Sequence, residues 1–327
     1  MITSSFKPEE NYSPAAVTDD LLQALTIHVR GRIVRNEPMA SHTTFRVGGP
    51  ADLFLAPADA EDLAVMLELL YAAHVPVRVI GNGSNLLVAD AGIRGAVICL
   101  TPHFASLTHA EDMITAGAGA KLWRAVHYAA EQSLSGLEST MGIPGTIGGA
   151  LVMNAGTDVG SISDLVVSAD FLTASGERLV KSGEQLDYGY RCSALQGGNL
   201  IVLSTQLRLT PSAPDVIRAK MTRLEAKRTS RQPTRCHTAG STFKNPEDIA
   251  AGKLLDRAGA KGYRIGGAEV SEKHANFILA HTGATASDIR NLAHWMHRRV
   301  HEAFGYDLEM EIELLGEWTE WQACEAW

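Results

Sequence analysis

Residues 142–160 limit what this chain can fold into more than any other stretch. Met141-Gly142-Ile143-Pro144-Gly145-Thr146-Ile147-Gly148-Gly149-Ala150 continues to Met153-Asn154-Ala155-Gly156, so five glycines and a proline interrupt an apolar run. Glycine loses the most backbone freedom on ordering and proline lacks a donor, so the stretch predicts neither a good helix nor a central strand. Two uses stay open. One is a bare backbone wall against a flat or extended ligand; the other is a crowded crossing between domains, where glycines relieve contact.

A second glycine stretch, Gly81-Asn82-Gly83-Ser84-Asn85-Leu86-Leu87, follows an apolar strand at residues 77–80. Its glycines let backbone N–H groups approach a phosphate, and Ser84 and Asn85 add side-chain donors. The spacing is not that of a dinucleotide fingerprint, and no helix follows directly. A glycine turn between two strands is the alternative. Taken together, the two stretches favour a nucleotide cofactor more than either does alone.

The periodicity around them predicts an α+β chain of two or three domains, as 327 residues suggest. Helical spacing covers residues 21–34, 60–74, 121–132, 216–229, 249–257 and 287–304. Strand patterns fall at 52–56, 77–80, 95–100, 113–118, 165–173, 178–181, 200–209 and 307–315, with two more near Ala268 and Phe277. Residues 1–20 read as a solvated extension and 210–214 as a linker. No run reaches the roughly 18 apolar residues of a membrane helix, and the first residues lack a secretory signal, so a cytoplasmic protein is expected. A net charge of −8 argues against a nucleic-acid partner. Cys99, Cys192, Cys236 and Cys324 are scattered, without zinc-ligand spacing, and read as reduced thiols.

Four further features invite a chemical reading. In Gly240-Ser241-Thr242-Phe243-Lys244-Asn245-Pro246 the serine suits a nucleophile, a proton donor or, more plainly, a turn cap. In Leu308-Glu309-Met310-Glu311-Ile312-Glu313-Leu314, strict alternation separates an apolar face from three carboxylates, the pattern of a half-buried strand. Residues 218–235 hold the dense basic stretch of an acidic chain, which reads as a solvated helix face whose end suits a phosphate. His294, His297 and His301 share one side of a helix and are expected to lack partners; no metal site is expected.

In order along the chain, the segment His42-Thr43-Thr44-Phe45-Arg46-Val47-Gly48-Gly49-Pro50-Ala51-Asp52, the two glycine stretches, Tyr190-Arg191-Cys192-Ser193, the Ser241 loop, Gly266-Gly267-Ala268-Glu269-Val270-Ser271 and the Glu311 strand resemble the UDP-N-acetylenolpyruvoylglucosamine reductase (MurB) family. The resemblance implies an FAD-binding module of the vanillyl-alcohol-oxidase type in two α+β subdomains, 21–105 and 106–210. An α+β substrate-binding domain, 211–317, and a tail, 318–327, would follow. It implies non-covalent FAD contacted by Gly81, Asn82, Gly83, Ser84, Asn85, Leu86, Gly142, Ile143, Pro144, Gly145, Thr146, Ile147, Gly148, Gly149 and Asn154. NADPH would be the reductant and UDP-N-acetylglucosamine enolpyruvate the substrate, in a monomer. Arg191, Ser241 and Glu311 match the family's catalytic positions, Ser241 as proton donor; Tyr190, Asn245, Lys261 and His274 match substrate-binding ones. The interval between Arg191 and Ser241 leaves little room for the tyrosine-loop insertion of one family branch, which favours the shorter type. Two departures stand out: Thr157-Asp158-Val159-Gly160 replaces a common Ala-Tyr-Gly, and Cys236-His237-Thr238-Ala239 occupies a place where a Pro-Ser pair is common.

Two rivals remain at this level: another FAD-dependent oxidase or dehydrogenase acting on a small alcohol or hydroxy acid, and a non-catalytic nucleotide-binding protein. Covalent attachment of flavin usually uses histidine or cysteine, and neither glycine stretch contains a histidine.

Overall fold

The computed structural model describes residues 16–101, 103–198 and 200–318. The expected extension before residue 16 and the tail beyond 318, with Cys324, lie outside the described residues. The chain is mixed α and β, as expected, and divides into two compact units. One comprises the chain up to Glu37, Asp52–Asn82 and Gly95–Lys227; the other comprises Pro38–Ala51, Gly83–Arg94 and the chain from Arg228.

The first unit is built on two sheets. A four-stranded sheet runs in the order Arg32–Pro38, Pro50–Ala56, Ile93–Cys99, Val77–Ile80, the last two strands parallel. Helix Ala60–Ala72 begins at Asp59, whose side chain caps Asp62, and buries Leu63, Met66, Leu67 and Leu70 at helical spacing. A five-stranded antiparallel sheet runs Arg178–Ser182, Val166–Thr173, Leu200–Arg208, Met113–Gly117, Leu107–Ala110. Helix Leu122–Glu131 buries Leu122, Ala125, Val126 and Ala129. One continuous apolar core joins these elements.

The second unit has its own core around Phe45, Leu87, Phe243, Leu254, Ile289 and Met296. It holds the sheet Arg264–Ile265, Ala268–Val270, Ile278–Ala280 and the helices Ala251–Arg257 and Ala286–Phe304. The long helix opens with a Thr285/Asp288 capping box and closes on Gly305 at φ 73°. The Asp90 carboxylate accepts from the N–H groups of Ala286 and Ser287 at 2.8 and 2.9 Å. That ties Gly83–Arg94 to the helix start, where a negative charge is favoured.

The structure corrects several expectations. The helix expected at 21–34 is Asp19–His28, and Arg32–Pro38 is a strand. The buried Asp62 carboxylate accepts from the N–H groups of Arg30, Gly31 and Ala58 and turns the chain between them. The expected linker at 210–214 is partly structured, because Thr210–Pro211 pairs with Leu134–Ser135. Helix Pro214–Arg231 follows at once. The strand expected at 307–315 survives only as Glu313–Leu315, since the chain changes partners. Met310 bridges Phe243, whereas Glu313–Leu315 runs parallel to Leu86–Val88. Residues 147–152 form a short helix, Ile147–Val152, in spite of their glycines. The Thr146 hydroxyl caps it by accepting from Gly149 N–H, and Gly148 packs where a Cβ would stand 3.0 Å from Ala118 Cβ. Close approach, not flexibility, explains that glycine. His297 and His301 do have a partner: Gly305 folds the chain back so that Asp307 lies 2.8 Å from His301 Nδ1 and 3.8 Å from His297 Nε2.

Candidate active site

Gly81 and Asn82, the part of their glycine stretch that lies in the first unit, meet the other stretch there. Asn82 Nδ2 donates to the Pro144 carbonyl at 2.5 Å, and a Cβ on Gly81 would lie 2.4 Å from Thr146 Oγ1. Residues 145–148 run beside 118–122, with Ile147 and Gly148 N–H donating to the Ala120 and Ala118 carbonyls at 2.8 Å each. With Gly149 capped by Thr146, the first three N–H groups of the short helix are used inside the protein. Donors for an anion therefore come from elsewhere, and the 82–86 loop is the glycine-rich alternative.

Arg191 sits on a two-residue corner. Gly189 and Cys192 exchange both backbone hydrogen bonds, at 3.0 and 3.2 Å, leaving Tyr190 and Arg191 at the tip. Arg191 has φ 54° at the corner position that usually takes glycine or asparagine. A non-glycine residue held there costs about 1–3 kcal/mol and persists only where its surroundings fix it. Asn154 Nδ2 donates to the Gly189 carbonyl at 2.8 Å, and Gln196 Nε2 donates to the Arg191 carbonyl at 3.0 Å. The Asn154 oxygen accepts from Ser163 N–H at 3.3 Å. Arg191 Nη2 donates to the Gly156 carbonyl at 3.2 Å, and its guanidinium lies 5.2 Å from the centre of the Tyr190 ring, itself 56% exposed.

Ser241 and Glu311 come together in the second unit. The segment from Ser241 to Lys244 runs between residues 276–277 and 309–311. Ser241 bridges Phe277, Thr242 N–H donates to the Asn276 carbonyl at 2.8 Å, and Phe243 N–H donates to Asn276 Oδ1 at 3.0 Å. On the other side Glu311 N–H donates to the Thr242 carbonyl at 2.9 Å and Lys244 N–H to the Glu309 carbonyl at 2.8 Å. Asn85 Nδ2 donates to the Glu311 carbonyl at 2.9 Å, and Glu313 N–H donates to the Asn85 carbonyl at the same distance. The Asn85 amide, expected at the cofactor, thus contacts the Glu311 backbone.

Of the expected substrate contacts, Tyr190 lies in the first unit and Asn245, Lys261 and His274 in this one. Asn245 Oδ1 accepts from Ala251 N–H at 3.0 Å, ahead of helix Ala251–Arg257. Lys261 Nζ is 2.9 Å from Asp256. His274 Nδ1 accepts from Asn276 N–H at 3.3 Å, and its ring meets Phe277 edge-on at 4.8 Å. Burial holds the His274 imidazole below its ordinary value, so near neutrality it is uncharged with its proton on Nε2. Gly252 makes room for this ring, since a Cβ there would stand 2.9 Å from His274 Cε1. Asn276 and Gln196 are positions that sequence reasoning passed over. In Ala275-Asn276-Phe277-Ile278 the signal was a lone amide in an apolar run.

The comparisons with known proteins cover the same ground. A family model described as "UDP-N-acetylenolpyruvoylglucosamine reductase, C-terminal domain" matches residues 232–315, and one described as "FAD binding domain" matches 51–181. The chain is 46% identical over 297 residues to the UDP-N-acetylenolpyruvoylglucosamine reductase of Agathobacter rectalis, covering 87% of this chain and 94% of that one. It is 45% identical over 301 residues to the enzyme of that name from Bradyrhizobium, covering 92% and 97%. Among solved structures, the UDP-N-acetylenolpyruvylglucosamine reductase of Thermus caldophilus superposes with a TM-score of 0.75 at 37% identity, covering 88% of this chain and 99% of that one.

Proposed function

The chain belongs to the UDP-N-acetylenolpyruvoylglucosamine reductase family, and we propose on that premise how its own residues carry out the reaction. It is an FAD-dependent oxidoreductase of peptidoglycan precursor synthesis that makes UDP-N-acetylmuramate from the enolpyruvyl ether of UDP-N-acetylglucosamine. The residues present fit FAD: Gly149 is exposed and a Cβ there would meet only Thr146 Oγ1, at 3.5 Å, so the 142–154 stretch keeps bare backbone beside open space. Residues 81–86 and 142–154 would hold it, the former through backbone donors to the diphosphate and the latter through close packing. Bound FAD would deliver a hydride, taken from NADPH, to the methylene carbon of the enol ether.

Addition at that carbon leaves negative charge shared between the α-carbon and the substrate carboxylate. Arg191 forks to the carboxylate and stabilises this charge as it grows; a guanidinium suits the task because it stays protonated and offers paired donors. Ser241 donates its hydroxyl proton to the α-carbon and regains one from solvent. Glu311 orients the carboxylate. Tyr190, Asn245, Lys261 and His274 hold the substrate, His274 as a neutral donor through Nε2.

The observation that carries this reading is the Glu311 N–H to Thr242 carbonyl bond, which keeps the segments bearing the hydroxyl and the carboxyl side by side. We assign residues 21–105 and 106–210 to the FAD-binding module and 211–317 to the substrate-binding domain. No helix among the described residues is long and apolar enough to cross a membrane; a cytoplasmic monomer is our proposal. Anaerobic stopped flow tests the chemistry. NADPH bleaches the flavin and the enolpyruvyl substrate restores its colour. Ser241→Ala leaves bleaching intact and slows recovery by about 10²–10⁴-fold, the usual worth of a positioned proton donor. Equal slowing of both half-reactions would remove Ser241 from that role.

A further inference from the structure

Resting on Ser241 as proton donor, we infer that Asn276 is a positioning residue for the Ser241 hydroxyl. Asn276 is 2% exposed, between buried Ala275 and Phe277. An amide so placed costs stability unless its donors and acceptor are matched. Here its Oδ1 accepts from Phe243 N–H at 3.0 Å while its Nδ2 donates to the Phe243 carbonyl at 2.8 Å, a side chain standing in for a missing strand. Its own carbonyl accepts from Thr242 N–H at 2.8 Å. One residue thus makes three bonds to the two residues that follow Ser241.

The side of Ser241 towards the N-terminus contrasts with this. Gly240 has φ +84°, and no atom lies within 4 Å of where its Cβ would stand. Upstream the chain is next held at buried Ala239 and at His237, whose carbonyl accepts from Ala280 N–H at 2.9 Å. The side-chain grip nearest the serine lies on its C-terminal side, where the Asn276 carboxamide bonds Phe243 and the Glu311 N–H bonds Thr242. A serine hydroxyl has a single side-chain torsion, so backbone error passes directly to the atom that must reach carbon. Losing the amide of Asn276 moves the hydroxyl without touching substrate. The bond from Asn276 N–H to His274 Nδ1 belongs to the backbone and survives replacement of the side chain.

The test compares the holoenzyme forms of Asn276→Ala, Asn276→Asp, Ser241→Ala and the Asn276→Ala/Ser241→Ala double variant. Asn276→Ala is expected to bleach with NADPH within about twofold of the unmodified enzyme and to recover colour about 100-fold more slowly, the cost of misplacing a reacting group by about an ångström. Substrate affinity is expected to change less than about threefold, and the double variant to be no slower than Ser241→Ala, because both changes act on one event. Asn276→Asp is expected to approach the unmodified enzyme as pH falls, since a protonated carboxyl restores the donor to the Phe243 carbonyl. Equal slowing of both half-reactions, or a full additional penalty in the Ser241→Ala background, overturns the inference. Should Asn276→Ala fail to fold, Asn276→Asp decides alone: recovery at the unmodified rate at every pH overturns it. Unimpaired recovery in Ser241→Ala itself would defeat the proton-donor reading, a failure visible without any change at Asn276.

Discussion

The corner that carries Arg191 and the segment that carries Ser241 are each secured by a buried asparagine, yet the two amides do different work. Asn154 reaches the corner from outside, bonding Gly189 two residues before the arginine, and leaves Arg191 at φ 54° with a half-buried side chain. Asn276 pairs with both backbone groups of Phe243 and makes the Ser241 segment the middle of a three-segment ladder. Side-chain length explains the contrast. A guanidinium at the end of a long arm tolerates a strained backbone because its own torsions take up the error. A hydroxyl one bond from Cβ has no such latitude and needs a backbone fixed on both edges.

The largest test of that contrast is Arg191→Gly. It should lower the rate of colour recovery by about 10³-fold through loss of charge stabilisation. Because glycine accepts φ 54° without strain, it should also melt higher than Arg191→Ala, by about 1 kcal/mol in chemical denaturation. A glycine variant no more stable than the alanine one would mean that the corner is not strained. Next comes Asn154→Ala, which leaves the Gly189 carbonyl and Ser163 N–H without their amide partner. Calorimetry should report a loss of about 2 kcal/mol, with recovery slowed more than bleaching.

A smaller effect is expected at Glu138, 2% exposed, which supports the corner indirectly through Ser139 and Thr157. Thr157 donates to the Ser139 carbonyl and lies next to Gly156, whose carbonyl receives Arg191. Burial pushes the Glu138 carboxyl up, but bonds from Ser135, the Gly136 N–H and Lys220 outweigh it and hold the group below its ordinary range. A depressed carboxyl contributes stability that is fully present above the ordinary carboxylate value and is lost as pH falls through the folded one. Glu138→Gln should therefore cost about 1–2 kcal/mol at neutral pH and flatten the acid limb of the stability profile. Unchanged acid sensitivity would acquit Glu138. Least affected should be Lys227→Met, which removes the exposed pair with Asp158. It should change stability by no more than about 0.5 kcal/mol and leave both half-reactions alone, unless the 156–161 hairpin matters more to Arg191 than the Gly156 bond suggests.

Much of this was legible in the residue pattern, and the exceptions have physical causes. The 3.6-residue spacing of Leu63, Met66, Leu67 and Leu70, or of Ile289, Met296 and Val300, marks a helix wherever it lies. The Ser241 and Glu311 loops were visible through their motifs. Pairing between distant segments leaves no local period, so the recruitment of Gly83–Arg94 into the second unit and the splitting of the last strand at Met310 were not visible. Nor was helix Ile147–Val152, because its Gly148 answers to Ala118, which lies about thirty residues earlier. Asn276 went unremarked because an amide in an apolar run announces a partner without naming it.

The parallel pairing of Leu86–Val88 with Glu313–Leu315 also has a consequence for biosynthesis. Asn85 and Glu311 are 226 positions apart. At about 5–20 residues per second on a ribosome, the earlier segment waits on the order of ten seconds or more for its mate. During that time the edge of Leu86–Val88 that pairs with Glu313–Leu315 has no native partner, although Leu87 can already pack with Phe45 and Val47. A nascent chain stalled before residue 313 therefore carries an unpaired strand edge at Leu86–Val88, an exposed edge of the kind chaperones shield.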